Sequence, residues 1–310
     1  MTPGATERRR AFASARVAAL LAAILISAGG CSQVRGRKQV QEANELYKKG
    51  RYAEAVAAYT EAEALVPALP TLWLNKGYTC RQLIAPGGRD PVSKEAAACA
   101  LSAFRRLHEV SPEDPRAEQL IVQTWFDTDD FAALEAHFLA RTRERPNDVE
   151  PVRGLQEVYF KWGRWREALD WSKRAAALRP SDAESQYAVG TLVWQVLSGH
   201  GGGTEVAAYD PWPHPKDDGS SVLVPPPSPP PAAGGDIGAD LRIELADQGL
   251  AHLERALALR PKYPEAMTYL GLLWRQKSFA YLADPIAWQA QVDQADAWQK
   301  RALTARPGKS

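Results

Sequence analysis

An excess of charge of either sign is missing from this chain. The 38 basic and 37 acidic residues leave a formal charge of +1. No run of like charge is longer than Arg8-Arg9-Arg10. A nucleic-acid binder would carry a basic stripe, and none is present. Long apolar runs are missing too. The longest, Val17–Ile26, has ten residues, and a membrane span needs about 20. Histidine and cysteine are sparse. His108, His137, His200, His214 and His252 keep no metal-ligand spacing. There is no H-E-x-x-H, no phosphate-binding P-loop and no G-x-G-x-x-G. These absences remove the common routes to metal-dependent, nucleotide-dependent and nucleic-acid chemistry. No cofactor is expected.

The chain opens on a targeting segment. Arg8, Arg9, Arg10 and Arg16 make a basic stretch, the ten apolar residues follow, and Ser27-Ala28-Gly29-Gly30 lead to Cys31. This resembles a bacterial lipoprotein signal, with Ala28 in place of the usual Leu. The resemblance implies removal of residues 1–30 and acylation, palmitate included, of Cys31. A plain cleaved signal with an incidental cysteine is the alternative. Arg9-Arg10-Ala11-Phe12 also resembles a twin-arginine export motif, although an ordinary basic stretch explains it. Without the first thirty residues the chain has 34 basic and 36 acidic side chains, a charge of −2.

The rest is periodic. Residues 147–180, NDVEPVRGLQEVYFKWGRWREALDWSKRAAALRP, read as two short helices. Asp148 is placed to cap the first, Gly163 breaks the chain, and Pro180 ends the second. Prolines close equivalent stretches at Pro67, Pro112, Pro146, Pro180, Pro261 and Pro307. Twelve residues before each stands Ala55, Ala100, Leu134, Ala168, Gly249 or Ala295. Ten residues after each of the first five stands Gly77, Val122, Gln156, Gly190 or Gly271, and Ala43 takes that place in the first copy. Two constant intervals identify a helical-hairpin array of six copies. The pattern resembles the tetratricopeptide repeat (TPR), whose positions 8 and 20 are small and whose position 32 is proline. The resemblance implies an all-α superhelical solenoid over about residues 36 to 307.

All length variation lies between positions 8 and 20. The interval is 12 residues in repeats one, three and four, but 23, 59 and 24 in repeats two, five and six. Long insertion loops are therefore expected in those three copies. In repeat two, residues 85–91 hold Pro and Gly breakers. In repeat five, residues 199–236 include Val224-Pro225-Pro226-Pro227-Ser228-Pro229-Pro230-Pro231 and read as disordered or polyproline-like. Two readings of that segment stay open, a docking element and a functionless loop. In repeat six both helices look extended and meet at Asp284-Pro285. The expected organisation is a signal (1–30), lipidated Cys31 with a tether to 36, repeats over 37–198, the insertion 199–236, and repeats again over 237–307.

The remaining candidates are few. His200-Gly201-Gly202-Gly203 looks like an esterase oxyanion element, but its G-x-S-x-G partner is absent, and a flexible loop explains it. No catalytic constellation is found, so the chain is read as non-enzymatic. Cys80 and Cys99 fall on antiparallel helices of repeat two. They form either a disulfide in an oxidising compartment or two small buried residues.

TPR resemblance implies a concave face lined by the first helix of each repeat. Carrying repeat positions 5, 9, 12 and 13 onto this chain gives Asn44, Tyr78, Arg81, Gln123, Phe126 and Arg153. It also gives Glu157, Phe160, Lys161, Tyr187, Thr191 and Trp194. Either this set binds a partner protein, or some of its aromatics pack on the next repeat. Asn44 and Asn75 match the asparagines of the carboxylate clamp and Arg116 one of its basic sites, but Val40 and Leu120 replace the other cationic positions, so binding of a C-terminal carboxylate is not expected. The implied function is a lipid-anchored adaptor at the bacterial envelope, on the outer membrane facing the periplasm. The alternative is an assembly factor resembling the six-repeat pilotin lipoproteins that serve a pilus secretin.

Overall fold

The computed structural model describes residues 32–199 and 237–306. Cys31, the 200–236 insertion and Pro307 lie outside the described residues. Every regular element among the described residues is helical: α1 (32–48), α2 (Tyr52–Glu63), α3 (Pro70–Arg81), α4 (Pro91–Val110), α5 (Arg116–Asp127), α6 (Phe131–Glu144), α7 (Val149–Lys161), α8 (Trp165–Leu178), α9 (Ala183–Ser198), α10 (Ala239–Leu259), α11 (Pro264–Ser278), a 3-10 turn (Phe279–Tyr281) and α12 (Pro285–Ala305).

The boundaries follow from local chemistry. Asp148 caps α7 by accepting from Glu150 N, and Asp182 caps α9 by accepting from Glu184 N and Ser185 N. Asp284 caps α12 in the same way, with Pro285 in its first turn. The turns inside regular repeats need one residue at positive φ. Gly50 (72°) and Gly163 (80°) supply it in repeats one and four. In repeat three Asp129 does so, at 52°, because a short polar side chain tolerates that region better than most.

The chain forms two compact units, residues 1–130 and 131–310. The boundary falls inside repeat three, the copy whose small positions hold Val122 and Leu134. In the first unit Tyr59, Leu72, Phe104 and Leu107 form a dry centre, and Gly77 lies against the Phe104 ring where a side chain would collide. In the second, Leu155, Leu192, Val193, Leu253, Leu270 and Leu273 do the same, and Gly190 faces Leu253. The small residues of the repeat thus mark where helices close on each other.

Three expectations change. The tether assigned to residues 31–36 is instead helical from residue 32, and Gly36 is packed on Leu65 and Val66. The first turns of α1 are built into repeat one. Repeat six carries no long insertion loop; its extra residues lengthen α11 and α12, which are the extended helices expected to meet at Asp284-Pro285, and add the 3-10 turn. In repeat two only part of the insertion is loop, residues 82–90, and the rest extends α4 to 20 residues. Helical continuation satisfies the added backbone groups internally, which a loop would leave to water.

The extra turns of repeats five and six meet. Arg242, in the second turn of α10, is buried and donates from Nη1 to Gln276 Oε1 at 2.9 Å and to Leu197 O at 3.4 Å. Phe279 lies beside its guanidinium. Among the described residues no carboxylate pairs with it. The acceptors belong to the C-terminal turns of α9 and α11, where the helix dipole is negative. Burial lowers its pKa to about 10, so it stays charged at neutral pH.

Candidate functional site: the faces of the first helices

In the first unit a cavity of about 720 Å³ opens between α1 and α3. From α1 come Gln41, Asn44, Glu45, Tyr47 and Lys48, and from α3 Asn75 and Tyr78. Tyr59 of α2 forms its floor. Helical spacing makes this possible, because positions three and four apart share a face. Asn44 Oδ1 accepts from Tyr59 Oη at 2.5 Å and from Asn75 Nδ2 at 2.9 Å. That double acceptance fixes the amide of Asn44, and among the described residues nothing accepts from its Nδ2 or donates to Asn75 Oδ1. Glu45 and Lys48 pair with each other at 2.8 Å, so the lining is close to neutral. Tyr78 is 37% exposed, with its edge on Phe104.

Other expected lining residues of this unit form a separate network. Arg81 donates to Asp127 Oδ2 from Nη2 (2.5 Å) and Nε (3.0 Å), and Gln123 Nε2 donates to Asp127 Oδ1 at 2.9 Å. Arg81 and Gln123 are thus committed to a carboxylate of the same unit. Phe126 is half-buried.

In the second unit the expected residues split. Tyr187 packs at a tilt on Tyr263 (centroids 5.0 Å apart) and meets Tyr269 edge-on (5.5 Å), and Trp194 meets Tyr269 (5.3 Å). Burial first, then Tyr269, raises the Tyr187 phenol above its ordinary pKa. Phe160 packs on the core. Arg153 reaches Ser185 Oγ at 3.1 Å and Asp182 at 3.6 Å. Glu157 and Lys161 face each other at 4.0 Å, and Thr191 donates to Ala188 O. Tyr187 and Trp194 thus contact aromatic rings of the next repeat, which was the alternative reading of them.

The positions chosen for the lining left out Gln41, Asn75 and Tyr269. All three stand at repeat position 6, one step round the helix from position 5. Tyr47 and Lys48 stand at positions 12 and 13 of repeat one, so the same rule pointed at them. Tyr59 reads as pure core, yet its hydroxyl reaches the cavity. Cys80 and Cys99 are joined, with Cα atoms 5.9 Å apart, a separation disulfides commonly show. No group of metal-binding side chains occurs among the described residues.

The TPR-repeat family model matches residues 43–81, which span α2, α3 and part of α1. No curated protein matches the sequence. Among solved structures, the crystal structure of MamA protein is similar at 12% identity, over 87% of this chain and 91% of that one, with a TM-score of 0.31. MamA from Desulfovibrio magneticus RS-1 is 11% identical over 87% and 94%, with a TM-score of 0.27. YrrB, described as a TPR protein with an unusual peptide-binding site, is 15% identical over 86% and 88%, with a TM-score of 0.26. Scores this low carry no argument. Two constant intervals, the helical hairpins they predict, and the matched repeat together give the described residues the all-helical hairpin fold of a tetratricopeptide-repeat array, with one repeat matched over residues 43–81.

Proposed function

We propose that the protein is a non-enzymatic adaptor that holds a partner protein against the faces of its first helices. It is tethered through acylated Cys31 to the bacterial envelope, at the outer membrane facing the periplasm. The observation that carries the reading is the open cavity between α1 and α3, lined by Asn44 and Tyr78. A pure spacer would have no reason to keep amide groups there without a partner among the described residues. The basic stretch, short apolar core and small residues before Cys31 support the anchor, and a lipoprotein cysteine carries more than the single chain that binds only marginally.

A photo-crosslinking residue at Tyr78, compared with one at exposed Glu61 on α2, tests the reading in intact envelopes. A partner captured from Tyr78 and not from Glu61 supports it. Equal capture from both, or none, overturns it. A secretin as the captured species would instead favour the pilotin-like reading. Cys31→Ala protein still wholly in the membrane fraction would remove the anchor.

A further inference from the structure

Because α1 begins at residue 32, no slack separates it from Cys31. Adjacent Cα atoms are only about 3.8 Å apart. The first turns of α1 are also held by α2. Gly36 lies on Leu65 and Val66, and Gln39 Nε2 donates to Glu61 Oε2 at 2.5 Å. An acyl chain on Cys31 therefore brings repeat one itself to the lipid surface, with no loose leader between them. What those turns present is cationic. Arg35, Arg37 and Lys38 are exposed around Val34, itself 71% exposed. At about 100° per residue, these four positions fall on the half of α1 opposite buried Gly36. Among the described residues no carboxylate pairs with Arg35 or Arg37, and Lys38 comes no nearer than 3.9 Å to Glu42. From Cys31 to Gln41 the chain has no acidic residue. The start of a helix favours acids, because the macrodipole is positive there. Three cations in that place weaken the helix, so helix stability does not account for them. An ordinary solvated face mixes its signs, as the far half of α1 does with Glu42, Glu45, Lys48 and Lys49. The neighbouring turn between α2 and α3 exposes Pro67 and Ala68 and has no charge from Ala64 to Leu74, so nothing there repels an anionic surface.

We infer that the first two turns of α1 are a docking face for an anionic phospholipid surface, on which Arg35, Arg37 and Lys38 meet lipid phosphates and Val34 enters the headgroup layer. The inference rests on the acyl-anchor reading and adds what the chain itself does beside the anchor. Reach agrees with it. Lys38 stands about 9 Å along the helix axis from Ser32, and its long side chain spans the difference to a headgroup layer roughly 5–7 Å deep. Glu42 and Glu45 stand about 15 and 20 Å along the same axis, beyond a Debye length of roughly 8 Å from the first turn. A surface fits better than a single soluble anion. Arg35 and Arg37 leave the helix about 160° apart, so they cannot close on one phosphate, whereas a layer of phosphates meets both.

The test uses the chain from Cys31 to Ser310. Cys80 and Cys99 are bonded, so Cys31 is its one free thiol, and alkylation attaches a single fourteen-carbon chain there. One such chain binds only marginally, which leaves the protein's own contribution readable. Partition is measured by sedimentation with vesicles of phosphatidylcholine, pure or with about one third phosphatidylglycerol. Each basic residue at an anionic surface strengthens binding roughly fivefold. The anionic vesicles are therefore expected to bind about a hundredfold more tightly than the neutral ones at low salt, and high salt is expected to remove the difference. Arg35→Glu/Lys38→Glu is expected to lower binding to anionic vesicles about twenty-five-fold or more. Lys48→Glu/Lys49→Glu, the same change of charge at the far end of α1, is expected to change it by less than about threefold. The first pair puts acids where the helix dipole favours them, so its circular dichroism spectrum is expected to stay unchanged.

Equal partition to neutral and anionic vesicles would overturn the inference, and so would equal losses in the two double variants. Release of the bound chain by inorganic phosphate at the concentration of the lipid phosphate would make a soluble anion the ligand and would also overturn it. The alkyl chain is attached chemically, so these results do not depend on acylation in the cell. Cys31→Ala protein still wholly in the membrane fraction removes the anchor reading. A coupled chain without preference for anionic vesicles removes only the docking face and leaves the anchor standing.

Discussion

Gly163 sits at φ 80° with nothing within 4 Å of the position a Cβ would take. Its role is therefore backbone alone. Gly163→Ala is expected to cost about 1–2 kcal/mol, the penalty of a left-handed residue with a side chain, read as a shift in the urea midpoint with unchanged slope. His252 argues differently. Its Nδ1 lies 2.8 Å from Gln186 Oε1, and Gln186 is itself buried. Burial first, then the charges of Arg255 and Lys173, lower the imidazole pKa from its ordinary value. The folded chain thus binds this proton less readily than the unfolded chain, whose histidine titrates near ~6.5. Stability from this group is complete above that pH and declines as pH falls through it. His252→Gln is expected to flatten the melting temperature between about pH 7 and 5 relative to the wild type. An unchanged slope would refute the assignment.

The helices of regular repeats were legible because each signal is local. Asp148, Asp182 and Asp284 are caps in the sequence and caps in the structure. The spacing of Gly77, Gly190 and Gly249 marked close approaches, and each faces a side chain of another helix. The extra length was less legible. Periodicity located it, and Asp284-Pro285 marked two extended helices in repeat six, but the loops expected from length alone are in part helix, since tertiary contacts decide that. Arg242 shows why. A lone arginine in a helix reads as surface, yet here the ends of α9 and α11 provide its acceptors. Arg242→Met is expected to cost about 1–3 kcal/mol by leaving Gln276 Oε1 buried without a donor. Adding Gln276→Leu should recover most of that loss, because a well-packed apolar pair often matches a buried polar one; no recovery would mean the polar pair itself holds the extension. In repeat two the long turn is closed by Cys80–Cys99 across a separation of 19 residues. The double change Cys80→Ser/Cys99→Ser is expected to lower unfolding free energy by roughly 3 kcal/mol, the loop-closure value for this length. Alkylation of two free thiols in unreduced protein would contradict the bond.

Across the whole molecule, the connections between repeats keep their length while those inside repeats vary. From each closing proline to the next position 8 there are always ten residues, and from position 20 to the proline always twelve. Those connections set how one hairpin packs on the next, and a packed core tolerates little change there. The turn within a hairpin bears no such constraint. The 59-residue interval of repeat five is the largest departure. Both its flanks are anchored: α9 ends at buried Gly199, at φ 74°, and Ile237 is buried just before α10. The described helices α9 and α10 pack directly on each other, with Leu197, Leu245 and Leu253 in one cluster. Loop-closure entropy changes by only about 0.6 kcal/mol for each halving of length. Replacing Gly199–Gly235 by a Gly-Ser link long enough to bridge the ends is thus expected to preserve the helical spectrum and move the melting temperature by only a few degrees. A large loss of stability would mean that the replaced segment contributes to the core of the second unit. If the fold survives and capture from Tyr78 is lost, the segment belongs to the partner-binding apparatus. If capture also survives, the array binds its partner without it.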